Sequence, residues 1–111
     1  MTGEMDDVGR FSDPSLLILS SLAGGPKHGY AMTTDIEEFG GVALGPGTLY
    51  GAVARLEERG LIEALPAEER RKPYRLTRRG SHVLAAQLRG MARFAATGLA
   101  RLDASSVTDC R

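Results

Sequence analysis

The side chains with the most legible chemistry are cations and small polar groups, and they gather in two stretches. The first runs from Gly45 to Ile62, where Leu49, Val53 and Leu56 recur at helical spacing. That stripe faces inward, which turns Thr48, Ala52, Arg55 and Arg59 outward as small, polar or cationic groups. A short helix with a small polar start, an apolar back and basic flanks suits the major groove of a DNA duplex. The second stretch is Arg70-Arg71-Lys72. Guanidinium and ammonium groups on a flexible turn reach phosphates or the minor groove, although the same run is also what a solvated turn looks like.

Several single residues carry two readings each. The Tyr50 hydroxyl suits a phosphate contact, and its ring suits half-buried packing. Tyr30 fits packing with its hydroxyl at the rim, or a place on the same DNA face. His28 is a helix cap or a phosphate-facing group. Arg55 can pair locally with Glu57 or Glu58, or point at DNA. His28 and His82 are far apart, and with one cysteine there is no clustered set of metal ligands, so no metal is expected. Neither a nucleophile elbow nor a glycine-rich phosphate loop after a strand is present, so neither enzymatic chemistry nor a cofactor is expected.

The 111 residues suffice for one domain with a modest core, and 42% hydrophobic and 25% charged residues are ordinary for a soluble protein. Fourteen Lys and Arg balance 14 Asp and Glu, and the pI is about 6.7, which at first sight disfavours nucleic acid. The distribution reverses that. From Arg70 to Arg101 the chain carries Arg70, Arg71, Lys72, Arg75, Arg78, Arg79, Arg89, Arg93 and Arg101 without one Asp or Glu. Phosphate binding follows the local field, not the total charge. The longest apolar run, Leu16 to Leu19, is far too short for a bilayer, and the acidic N-terminus lacks a signal layout, so a cytoplasmic location is expected. Cys110 excludes an intrachain disulfide and reads as a tail residue.

The elements that must position these groups follow from punctuation. Residues 1–12 show no apolar period and read as a flexible arm. Asp13-Pro14 starts a first helix, from Pro14 to about Ala23, too apolar to be buried on one side alone. A second spans about Gly29 to Phe39, with Tyr30, Ala31, Ile36 and Phe39 as candidate inner residues and Gly40-Gly41 as its stop. Gly45 caps the third helix, Pro46 opens it, and Gly60 is its left-handed terminator with Leu61 folded back on Leu56. Strands are expected at Leu61–Leu65 and Pro73–Thr77, joined by a charged tip from Pro66 to Lys72. Thr77 caps a last helix from Arg78 to about Leu102, roughly 37 Å long. On it Leu84, Leu88, Met91, Ala95, Leu99 and Leu102 approach a heptad seam, widened by Val83, Ala92 and Phe94. That is more apolar surface than a small domain covers, so its free side is expected to be a dimer interface. Residues 103–111 read as a disordered tail. The fold class is thus mainly α with a small β-hairpin: a winged helix-turn-helix over residues 13–77 and a C-terminal dimerisation helix over 78–102.

Four stretches taken together resemble the PadR-like transcriptional regulators, in particular the short subgroup with a single C-terminal helix. They are Leu16-Leu17-Ile18-Leu19 with Gly24; His28-Gly29-Tyr30; Gly47-Thr48-Leu49-Tyr50 through Arg55-Leu56-Glu57 to Gly60-Leu61-Ile62; and Arg71 to Thr77 with Gly80. The resemblance implies a homodimer that binds a palindromic operator on double-stranded DNA and usually represses transcription. It assigns DNA contact to His28, Tyr30, Thr48, Tyr50 and the wing residues Arg71 and Lys72, to which Arg55 and Arg70 are added by position. Leu16 joins the dimer interface. Short members of the family also take flat apolar or aromatic effectors between the long helices and the partner's first helix, which here nominates Leu16, Met91, Phe94 and Ala95. Pro73 after Lys72 stiffens the returning strand. Gly51 and Ala52 leave little mid-helix side chain for reading bases. The competing reading is a winged module that binds proteins instead of specific DNA.

Overall fold

A computed structural model describes residues 13–109; the expected N-terminal arm and Cys110 lie outside the described residues. Four helices and one hairpin follow in the order α1 (Pro14–Ala23), α2 (Gly29–Gly40), α3 (Pro46–Glu58), β1 (Ile62–Ala64), β2 (Tyr74–Leu76) and α4 (Arg78–Asp109). The Asp13 carboxylate accepts from the Ser15 amide at 3.1 Å and Pro14 occupies the first helical turn, so α1 starts where its sequence signals it. Leu17, Ile18, Leu19 and Leu22 are all buried, and α1 packs on α2, α3, α4 and β2. It is the central rod of the core.

The buried face of α2 differs from the expected one. Met32 and Ile36 are fully buried, Ala31 is half-buried, and Tyr30 and Phe39 are 77% and 51% exposed. The inward stripe is 29-32-36-40, with glycine at both ends. Gly29 lets Tyr50 close in and Gly40 lies against Leu17. A stripe bounded by residues without side chains leaves a weak apolar period in the sequence, which is why Tyr30 and Phe39 mimic it one residue out of phase. Gly41, with φ of 66°, ends the helix and its amide donates to the Glu37 carbonyl.

In α3 the stripe is Leu49, Ala52, Val53 and Leu56. Ala52, expected on the outer face, is fully buried. The C-terminus closes as expected: Gly60 has φ of 77°, its amide donates to Glu57, and the Leu61 amide reaches the Leu56 carbonyl at 3.0 Å. Strands β1 and β2 pair antiparallel with Ile62 opposite Leu76, Glu63 opposite Arg75 and Ala64 opposite Tyr74. They are shorter than expected, though the Leu65 amide still donates to Pro73 at 2.9 Å.

Thr77 caps α4. Its hydroxyl accepts from the Gly80 amide and donates to the Gly60 carbonyl, and its own amide donates to Leu61. Two expectations for α4 are corrected. The helix runs 32 residues to Asp109, about 48 Å, instead of stopping near Leu102. Residues 103–109 contain neither Gly nor Pro, and a helix once nucleated extends at one hydrogen bond per residue. Leu84, expected at the dimer seam, is 4% exposed within its own chain and belongs to the domestic core. The first turns of α4 press onto α1. Beyond Leu84, described residues of α4 are at most half-buried, and the described structure extends 64 × 30 × 19 Å with a radius of gyration of 17.3 Å. A compact chain of this size would have about 13 Å. No described helix is long and apolar enough to cross a membrane.

Candidate nucleic-acid interface

The start of α3 is open. Gly45 offers no side-chain cap and Pro46 has no N–H, so the remaining amides of the first turn face outward at the positive end of the helix dipole. Thr48 is exposed there. One turn on, the half-exposed ring of Tyr50 lies across Gly29, the first residue of α2. Arg55 is exposed on the same helix and folds back toward Gly51, where its Nη1 sits 3.7 Å from the position a Cβ would take. It forms no ion pair with Glu57 or Glu58 among the described residues, so the local pairing that the sequence left open is absent.

The hairpin brings the second group of cations to the same place. At its tip Glu68 and Arg71 exchange two backbone hydrogen bonds of 2.8 Å around Glu69 and Arg70, whose φ values are 50° and 70°. Two left-handed residues in a two-residue loop make the tight hairpin turn that matches strand twist, here without the usual glycine. The wing root is tied down by a contact that sequence did not suggest. Lys27, in the α1–α2 turn, pairs with Tyr74 through reciprocal backbone bonds of 2.9 and 3.1 Å. The Lys27 ammonium also donates to the Ser21 carbonyl at 2.6 Å and lies 3.9 Å from Asp35, which accepts from the buried Ser21 hydroxyl. No local pattern announces this knot, because its four members come from α1, the α1–α2 turn, α2 and β2.

His28 links the two halves. Its Nδ1 accepts from the Ala31 amide at 3.4 Å, capping α2, and its Nε2 stands 3.3 Å from the Arg71 guanidinium. Lys72 rests over the Tyr74 ring, 5.7 Å from its centre. A concavity of about 300 Å³ results, lined by His28, Gly29, Tyr30, Tyr50, Arg70, Arg71, Lys72 and Tyr74. Glu68 and Glu69 line an adjoining hollow with His28, Arg71 and Pro73. Arg70 and Lys72 thus share a hollow with residues of α2 and α3 that Glu68 and Glu69 do not line. Ion pairs among the described residues join only Lys27 to Asp35 and Arg75 to Glu63, so Arg70, Arg71 and Lys72 keep their charge unneutralised.

The fold recurs in known proteins. The model of the transcriptional regulator PadR-like family matches residues 18–86, more than half the chain. The chain belongs to the PadR-like family. A transcriptional regulator from Clostridium thermocellum is similar at 30% identity with a TM-score of 0.68, covering 76% of this chain and 84% of that one. A PadR family transcription regulator from Clostridium difficile gives 28% and 0.69 over 80% and 96%, respectively. An uncharacterized 37.1 kDa protein in a Streptomyces fradiae transposon is 45% identical over 84 residues, and the chain spans 24% of that relative's length. Members of this family are transcriptional regulators, not enzymes, and membership implies DNA binding.

In this PadR-like chain six of the nominated residues, His28, Tyr30, Tyr50, Arg70, Arg71 and Lys72, meet at one concavity. Thr48 and Arg55 lie outside its lining, exposed on α3. Leu16 lines a small hollow at the root of α4 with Leu19, Leu61, Val83 and Gln87, whereas Met91 and Phe94 line another farther along the helix. Among the described residues no group of His, Cys, Asp and Glu is placed to hold a metal ion.

Proposed function

We propose that this chain is a homodimeric, sequence-specific DNA-binding repressor that acts on a palindromic operator in the cytoplasm. The observation that carries this reading is the convergence of Arg70, Arg71 and Lys72 with Tyr30 and Tyr50 beside the open N-terminus of α3. α3 enters the major groove with Thr48 at base edges and Arg55 at its margin. Tyr50, Tyr30 and His28 meet the backbone, and the wing grips flanking phosphates. The dimer forms along α4 through Leu88, Met91, Ala95, Leu99 and Leu102, with Leu16 at its base. Leu88, Phe94, Leu99 and Leu102 are 43–83% exposed in the single chain, an apolar run of the kind that marks an interaction surface. The hollows that hold Leu16 and Met91–Phe94 adjoin at Gln87, and an apolar or aromatic effector bound by Leu16, Met91, Phe94 and Ala95 is enclosed there by the partner subunit.

The test is selection of a binding site from random duplexes, followed by titration of the selected duplex at rising salt. A two-fold symmetric site, bound in the presence of competitor DNA and weakened steeply by salt, supports the reading. Retention of a protein partner after nuclease treatment, with no selected duplex, would replace it by the protein-binding module.

A further inference from the structure

Gly29 is a glycine that its backbone does not require. Positive φ among the described glycines is confined to Gly25, Gly41 and Gly60, and Gly29 is the first residue of α2, where alanine would favour the helix. What it provides is space. A Cβ there would lie 2.7 Å from Cζ and 3.1 Å from Cε1 of Tyr50, and closer still to the hydroxyl. Gly29 is buried, while Tyr50 keeps half its surface open toward the cationic concavity. The Tyr50 hydroxyl has no hydrogen-bond partner among the described residues. The obstructing atoms belong to the end of a half-exposed ring, so a methyl group at position 29 displaces the ring without breaking the core.

We propose that Gly29 is a positioning residue that seats the Tyr50 ring across the start of α2 and thereby aims its hydroxyl at a DNA phosphate. This rests on the reading that the α2–α3–wing face meets the duplex. Two measurements separate the seat from its use. In protein labelled with carbon-13 at the tyrosine rings, Gly29→Ala shifts the Tyr50 resonance to a solvent-like position and leaves Tyr74 in place, with an unfolding midpoint at or above wild type. An unmoved Tyr50 signal overturns the seat even in a chain that binds no DNA. With the duplex selected from the random library, Gly29→Ala weakens binding by roughly tenfold or more, the loss of one hydrogen bond to a charged group. In a Tyr50→Ala background the same substitution has no further effect. An equal loss in both backgrounds, or unchanged affinity of Gly29→Ala beside a wild type that binds, overturns the proposal.

Discussion

Replacing Leu99 and Leu102 together by alanine separates dimer formation from folding. The two leucines expose 62% and 64% of their surface. Full burial of a leucine is worth roughly 1.5–3 kcal/mol, so covering the exposed part contributes roughly 1–2 kcal/mol for each. A two-fold interface counts each residue twice, which gives about 4–8 kcal/mol for the four side chains. Truncation to alanine removes most of it, and the dimer dissociation constant should rise roughly a thousandfold. Sedimentation equilibrium over a range of concentrations measures this directly, and circular dichroism checks that the helices remain. Leu84→Ala is the contrast: that side chain is 4% exposed inside its own core, and its loss costs about 2–5 kcal/mol of folding stability. A wild-type chain that sediments as a monomer, or a double variant with an unchanged dissociation constant, refutes the use of this helix as the seam.

Arg71→Ala with Lys72→Ala should weaken binding to all duplex sequences alike. It should also flatten the plot of log affinity against log salt by about 0.9 for each phosphate that the wing no longer neutralises; an unchanged slope removes the wing from the mechanism. Gly80→Ala should destabilise the fold by about 1–3 kcal/mol in a urea titration, because its Cβ would stand 2.9 Å from the Leu61 carbonyl carbon, and backbone does not swing aside as the Tyr50 ring does. A neutral result would mean that the α4–β1 junction is looser than its hydrogen bonds indicate. Glu69→Asn, at φ of 50°, should raise the unfolding free energy by about 0.5–1 kcal/mol, since asparagine tolerates the left-handed turn better; a lowered melting temperature would contradict the strain at the wing tip.

Sequence determined what depends on neighbours along the chain. Asp13-Pro14, Gly41, Gly60 and Thr77 mark helix ends because capping bonds span only a few residues, and each cap forms where its residue types place it. The family assignment was legible for the same reason, since its motifs are short and ordered. Tertiary structure alone decided what depends on approach between distant elements. Ala52 is buried because α3 packs on both α1 and α2, Leu84 because α4 lands on α1, and Met32 rather than Tyr30 because glycines let α2 close in at both ends. The pairing of Lys27 with Tyr74, which holds the wing beside α2, joins residues 47 positions apart (74 minus 27) and leaves no periodic trace. Local propensity is written in spacing; which face is inside is settled only when two surfaces compete for the same space.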